Sequence, residues 1–168
     1  MNKNVKKLCL TAIFAGIAVV GSLFSFPLFG AKCAPIQHLV NVMCAIFVGP
    51  WWGVACAFVS SLIRNLTGLG SPLAFPGSMC GVLLAGLLYM LTKKRFSAYL
   101  GELFGTAVIG GMLACPVAIL VLEREALVYT YIVPFLISTG VGTLVAAIIV
   151  ETMAKTKVLG KLQQMINE

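Results

Sequence analysis

The sequence has no aspartate, only five glutamates and a single histidine among 168 residues, and charged residues make up 10% of it. A soluble domain carries about 25% charged residues, so this chain lacks the polar surface that a water-soluble fold wears. Without aspartate there is little to hold a hard cation, and one histidine with scattered cysteines makes a poor zinc set. Gly68-Leu69-Gly70 lacks the third glycine of a dinucleotide loop, and no GxxxxGK[ST] phosphate loop is present. No cofactor, metal or catalytic residue is therefore expected, and any ATP-driven step has to be carried out by partner subunits. The six cysteines (Cys9, Cys33, Cys44, Cys56, Cys80, Cys115) show no CxxC spacing. Five fall in apolar runs and read as small packing residues, while Cys33 stands in a loop.

What is present is apolar. Hydrophobic residues make up 60% of the chain and mean hydropathy is +1.04, which predicts an all-α integral membrane protein. Barrel strands would show two-residue alternation, which Ala107 to Val121 lacks, and lipid offers no water to unpaired backbone groups. About six transmembrane helices are expected, at residues 8–29, 36–48, 51–65, 75–92, 98–122 and 127–153, in one domain covering residues 1–168. The N-terminal stretch mimics a signal peptide, with Ala31-Lys32-Cys33-Ala34 resembling a cleavage region, but Leu8 to Phe29 is too long for a signal core and reads as a retained helix.

The net charge is +7, twelve basic against five acidic residues. The basic residues are scattered through short loops rather than gathered on one face, which argues against nucleic acid and for a topology signal. With both termini cytoplasmic, Lys3, Lys6, Lys7, Lys93, Lys94, Arg95, Lys155, Lys157 and Lys161 fall inside, and Lys32, Arg64 and Arg124 outside. Trp51 and Trp52 on one face, and Tyr129 and Tyr131 on the other, are expected interfacial anchors. Pro116 and Pro134 are candidate kinks in the last two helices.

Helical rise carries the argument further. At about 1.5 Å per residue, His38 lies about 18 Å from the Pro50 turn, Arg64 about 20 Å from Trp51, and Ser78 about 22 Å from Lys93. The hydrocarbon core is about 30 Å thick, so three helices bring polar groups to one level. Gly30 to Pro35 and Thr67 to Ala74, rich in Gly and Pro, are then expected to fold as lids over a pocket, because irregular backbone at that depth needs protein or water around it. Gln37, His38, Asn41, Arg64 and Asn65 are the strongly polar residues near that level, with His38 and Asn41 on one helical face. They read either as a ligand pocket or as interhelical bonding with Arg64 snorkelling outward. Glu102 is expected near the inner interface, snorkelling there or paired with Lys94 or Arg95, in preference to a proton relay. In the first helix Thr11 with Ala15, and Ala12 with Gly16, place small residues four apart, a spacing that permits close approach of another helix.

The run Ala31-Lys32-Cys33-Ala34-Pro35-Ile36-Gln37-His38, then Asn41, Gly49-Pro50-Trp51, Ser61-Leu62-Ile63-Arg64-Asn65, Gly68 and Ala74-Phe75-Pro76-Gly77-Ser78-Met79, resembles the ThiW family. The resemblance implies a multi-pass protein of a bacterial or archaeal cell membrane. It would be the substrate-binding S component of an energy-coupling factor (ECF) transporter, taking up the thiazole precursor of thiamine. It further implies docking onto a transmembrane coupling protein that carries two cytoplasmic ATPase subunits, with Thr11, Ala12, Ala15 and Gly16 as the positions that would serve. For hydroxyethylthiazole, a small neutral aromatic alcohol, Phe75 or His38 is expected to stack on the ring. Gln37, Asn41, Asn65 or Ser78 would supply hydrogen bonds, and Lys32, Cys33, Pro35, Gly68 and Gly70 the lids. A neutral ligand has no need of Arg64, so Arg64 either bonds lid carbonyls or meets an anionic ligand such as a phosphorylated thiazole. The competing readings are a different small vitamin-like ligand, a ligand-free assembly subunit and a membrane-embedded lipid enzyme.

Overall fold

In a computed structural model, which describes residues 2–168, the first helix, α1, spans Lys3–Gly21. It is shorter at its end than the expected 8–29. Ile36 packs so tightly against Gly21 that a Cβ there would overlap its side chain, and a 3-10 turn, Ser22–Phe24, follows. The chain then turns back as a hairpin of β1 (Phe26–Leu28) and β2 (Ala31–Cys33), paired Phe26 with Cys33 and Leu28 with Ala31. Its two turn residues, Phe29 and Gly30, have φ of 46° and 78°, the double positive φ of a type I′ hairpin.

The next helices lie close to where periodicity and punctuation put them: α2 at Pro35–Phe47, α3 at Pro50–Leu66 and α4 at Ala74–Thr92. Proline opens both α2 and α3 in the first turn, where a missing N–H costs no intrahelical bond. Gly49, with φ of 89°, makes the reversal between them. The following helix runs unbroken over Arg95–Leu122. It is built of α5 (Arg95–Phe104), a π-helical stretch (Gly105–Gly110) and α6 (Gly111–Leu122). The last long helix, α7, covers Ile132–Lys155, starting five residues later than expected. Pro134 therefore sits in its first turn and displaces no helical bond. Beyond it α8, Val158–Asn167, is an element the sequence reading did not foresee.

Among the described residues four helices are long and apolar enough to cross a membrane, namely α1 with its 3-10 turn, α4, α5 to α6, and α7. At about 1.5 Å per residue, the 13 residues of α2 and 17 of α3 fall short of a core about 30 Å thick. Large apolar side chains on the outer faces, among them Leu120 at 79% exposure and Ile148 at 61%, fit contact with lipid. Tyr131, expected as an interfacial anchor, is instead buried against Phe135, ring centroids 6.2 Å apart; Tyr129 is exposed.

Small residues let α4 and α5 lie almost backbone to backbone. A Cβ at Gly101 would come within 2.6 Å of Ala85 Cα, one at Gly105 within 2.7 Å of the Cys80 carbonyl, and one at Gly110 within 2.6 Å of Gly77 Cα. Close approach of this kind is how membrane helices associate when lipid removes the hydrophobic drive between them. At one end of the bundle α8 ties the chain's two ends together. Lys6 Nζ donates to the Met165 carbonyl at 2.7 Å, and Gln163 Nε2 reaches the Ile46 carbonyl and Tyr89 hydroxyl at 3.1 and 3.0 Å. The hairpin lies at the other end.

Candidate functional site

The hairpin end holds a small cavity of about 30 Å³, room for about one water molecule. Small-ligand sites run about 300–1,000 Å³, so a ligand enters only as the surrounding loops and side chains move apart. Its walls come from β2 and α2 (Lys32, Gln37, His38), α3 (Arg64), α4 (Gly77, Ser78), the π stretch (Thr106) and α7 (Phe135, Ser138), with Ser71 and Leu73 from the loop before α4. Where the helices begin and end explains why these side chains meet: α2, α3 and α4 present their hairpin-end turns at one level, and loops rather than further helix complete the roof.

Beneath the cavity lies a buried carboxylate. Glu102 is fully buried, and its Oε1 gathers His38 Nδ1 at 2.9 Å, Asn41 Nδ2 at 2.9 Å and Thr106 Oγ1 at 3.0 Å. This overturns the expected pairing with Lys94 or Arg95; Arg95 makes a two-pronged bond to Glu151 instead, both contacts 2.9 Å. The π stretch follows Glu102 and carries Thr106, the residue that bonds it. Single-turn π insertions recur at functional sites because they re-aim side chains. The second oxygen, Oε2, has no hydrogen-bond partner and lies against Gly81, where a Cβ would come within 2.8 Å of it. A buried charge is tolerable only when well bonded, so three donors on one oxygen are what keeps Glu102 in place.

From Glu102 a chain of side-chain bonds leads to Arg64. Asn41 donates to Glu102 and to the Ser78 carbonyl (3.1 Å), Gln37 Nε2 donates to Asn41 Oδ1 at 3.1 Å, and Arg64 Nη1 donates to Gln37 Oε1 at 3.1 Å. Ser60 adds a second donor to Gln37 Oε1. Ser78 Oγ donates to the Ala74 carbonyl and so accepts from Ser61 at 3.1 Å.

Of the residues read from sequence, Gln37, His38, Arg64, Ser78 and Lys32 line the cavity. Asn41 lies behind it in the bonded chain. Asn65 does not line it: its Nδ2 holds the Ser61 and Ser71 carbonyls at 2.7 and 3.1 Å, fastening the loop to α3. Phe75 does not line it either, its ring resting 5.7 Å from that of Phe58. The aromatic at the cavity is Phe135, which the sequence reading missed together with Ser138 and Thr106.

The two loops expected as lids are joined over the cavity. Lys32 Nζ donates to the Gly68 carbonyl at 2.8 Å, and Gly70 N–H donates to the Arg64 carbonyl at 2.8 Å. Cys33 is buried with its thiol on the Pro134 carbonyl, 3.3 Å, and the Ala34 N–H bonds Ser138 Oγ at 2.9 Å. Pro35 starts α2, and its carbonyl touches Gly142 so closely that no side chain fits there. On α1, Thr11 and Ala15 are buried inside the bundle, whereas Ala12 and Gly16 face outward; a Cβ at Gly16 would meet nothing within 4 Å.

No group of three or more metal-ligating side chains occurs among the described residues. Residues 8–156 match the model of a family described as "Thiamine-precursor transporter protein (ThiW)". No curated protein matches the chain.

Proposed function

The chain belongs to the ThiW family of thiamine-precursor transporter proteins, and from that membership we propose that it is the substrate-binding S component of an ECF importer. It takes hydroxyethylthiazole or a related thiamine precursor into the cavity beneath the hairpin. The chain is a multi-pass membrane protein, and in this reading it crosses the cell membrane six times with both termini cytoplasmic, so that the hairpin and cavity face outward. The observation that carries the reading is the cavity itself. It is a small, mixed polar and apolar site roofed by two loops that a hydrogen bond from Lys32 to Gly68 holds together.

Such a site performs capture by exclusion of water and by orientation. Phe135, Leu73 and Ala74 supply apolar wall for an aromatic ring, while His38, Ser78, Thr106 and Ser138 offer hydrogen-bonding groups for its polar substituents. Entry needs the loops to part, and breaking one exposed bond, Lys32 to Gly68, is a small cost. With no phosphate loop in the chain, the energy of uptake comes from two ATPase subunits through a coupling protein, and the chain itself catalyses nothing. The outward face of α1 at Ala12 and Gly16 is where that coupling protein docks, since Thr11 and Ala15 are already used inside the bundle.

The test is equilibrium binding of hydroxyethylthiazole and its phosphate ester to the purified protein, compared with His38→Ala and Asn41→Ala. Loss of about tenfold or more in affinity is expected for His38→Ala, which removes a wall group and a buried partner of Glu102. Unchanged affinity in both variants would remove the cavity as the binding site.

A further inference from the structure

The cavity has an unbalanced charge. Arg64, 2% exposed, and Lys32 line it, and no carboxylate does. Among the described residues the ion pairs are His38 with Glu102 and Arg95 with Glu151, so no carboxylate lies within 4.0 Å of the Arg64 guanidinium. Arg64 Nη1 bonds a neutral amide oxygen, that of Gln37, and its Nε has no partner at all. Burying a cation without a counter-ion is costly. Snorkelling would relieve that cost, yet the side chain stays in, with the lid residue Gly70 close over it. A Cβ at Gly70 would come within 3.0 Å of Arg64 Cβ.

The nearest negative charge in the bonded chain, Glu102, is kept apart from Arg64 by two intervening amides. Each amide donates toward Glu102 and accepts from the Arg64 side. Arg64 Nη1 supplies a proton to Gln37, Gln37 to Asn41, and Asn41 to Glu102. This arrangement leaves the guanidinium at the cavity wall with its Nε–H free.

Resting on the reading of this cavity as the precursor site, we propose that its ligand carries an oxyanion, as a phosphate monoester or a carboxylate on the thiazole-like ring, which Arg64 receives through Nε and its neighbouring nitrogen. A planar guanidinium matches either oxyanion with two parallel hydrogen bonds, which a neutral alcohol cannot accept in that form. Lys32, exposed at the roof, adds a second positive charge, and its bond to Gly68 closes the loop over the bound anion. The apolar wall at Phe135 and Leu73 takes the ring.

The experiment is calorimetric titration of the full-length purified protein with hydroxyethylthiazole, its phosphate monoester and a thiazole carboxylate, at low and at high salt. One or both anions are expected to bind at least about tenfold tighter than the alcohol, with affinity falling as salt rises. The arm that binds tighter tells phosphate from carboxylate. Arg64→Gln should bring the anion-to-alcohol affinity ratio down to about one, and Arg64→Lys should keep part of the preference. Because Arg64 is buried, thermal melting of each variant accompanies the titration, and Lys32→Gln, at an exposed position, gives a second reading free of folding damage. Its expected effect is a fall of about two- to fivefold in the anion-to-alcohol affinity ratio. Alcohol binding at least as tight as both anions, or Arg64→Gln and Lys32→Gln acting equally on all three compounds, would overturn the oxyanion and leave the precursor site standing. No binding of any of the three would overturn both.

Discussion

Glu102 shows how much depends on one side chain at membrane depth. Its carboxylate oxygen holds α2 through His38 and Asn41 and holds its own helix through Thr106, so three donors converge on one acceptor. Removing a member of a buried, bonded charge cluster costs about 3–5 kcal/mol. Glu102→Ala is expected to lower the stability of the detergent-purified protein by about that much and to abolish ligand binding, whereas Glu151→Ala, on a half-exposed pair, should cost at most about 1 kcal/mol. Denaturant unfolding of the two variants measures the contrast, and equal losses would show that Glu102 is not the keystone. The residues of α2 to α4 at the cavity were legible because helical rise, counted from a turn or a charged end, places a polar group of each helix at one level. Glu102 was not, because the same count began from Arg95 and reached it after only seven residues, near enough to the interface to suggest snorkelling. A signal was there: Gly101 and Gly105 flank it and Thr106 follows at i+4, a pattern of small and hydroxyl residues that marks a face packed against another helix. Phe135 and Ser138 carried a similar signal in the buried run Ser138, Thr139, Gly142 and Thr143 of α7.

At the scale of elements, glycine separates two kinds of surface. Gly81 is inside the α4 seam, where an added Cβ would overlap Thr106 Oγ1 and crowd Glu102; Gly16 on α1 faces open space. Gly81→Ala is therefore expected to cost about 1–3 kcal/mol by overpacking and to weaken binding. Gly16→Trp should leave melting temperature and binding unchanged but stop uptake in cells, because it blocks the face proposed for a coupling protein. Melting curves, binding and uptake measured together check both, and loss of binding in Gly16→Trp would place that face inside the bundle's own packing. The ends of α1 and α7 were misjudged from sequence for a common reason. Lipid-like hydropathy continues through Phe24, Phe26 and Leu28 and through Leu127 and Val128, so apolar content alone cannot mark where the chain leaves the helix. In the first case the positive φ at Phe29 and Gly30 belongs to a hairpin that hydropathy does not register. The amphipathic α8 was overlooked because it contributes no membrane-length run.

For the whole molecule, the decisive feature is polarity from end to end. Lys6, Gln163 and the last turns of α2 and α4 meet at one end, while the hairpin, with Gly30 bonded by Arg124 at 3.2 Å, closes the other. Cysteine-specific labelling of intact cells with a membrane-impermeant reagent is expected to modify Arg124→Cys and not Lys161→Cys, in a background lacking the exposed Cys9; the opposite pattern would invert the cavity to the cytoplasmic side. The expected orientation rests on nine basic residues against three; the lid at Gly30 to Pro35 was expected from its composition, whereas its hairpin form was not legible, since its strands are three residues each. The central claim is that the cavity beneath this hairpin holds the precursor, and it is tested most directly by an experimental structure of the protein saturated with a thiazole precursor. New density is expected between Arg64, His38 and Phe135, under Lys32 and Gly68. Density in the opposite groove, beside Lys7, Trp52 and Tyr89, with the hairpin cavity left empty at saturation, would contradict it.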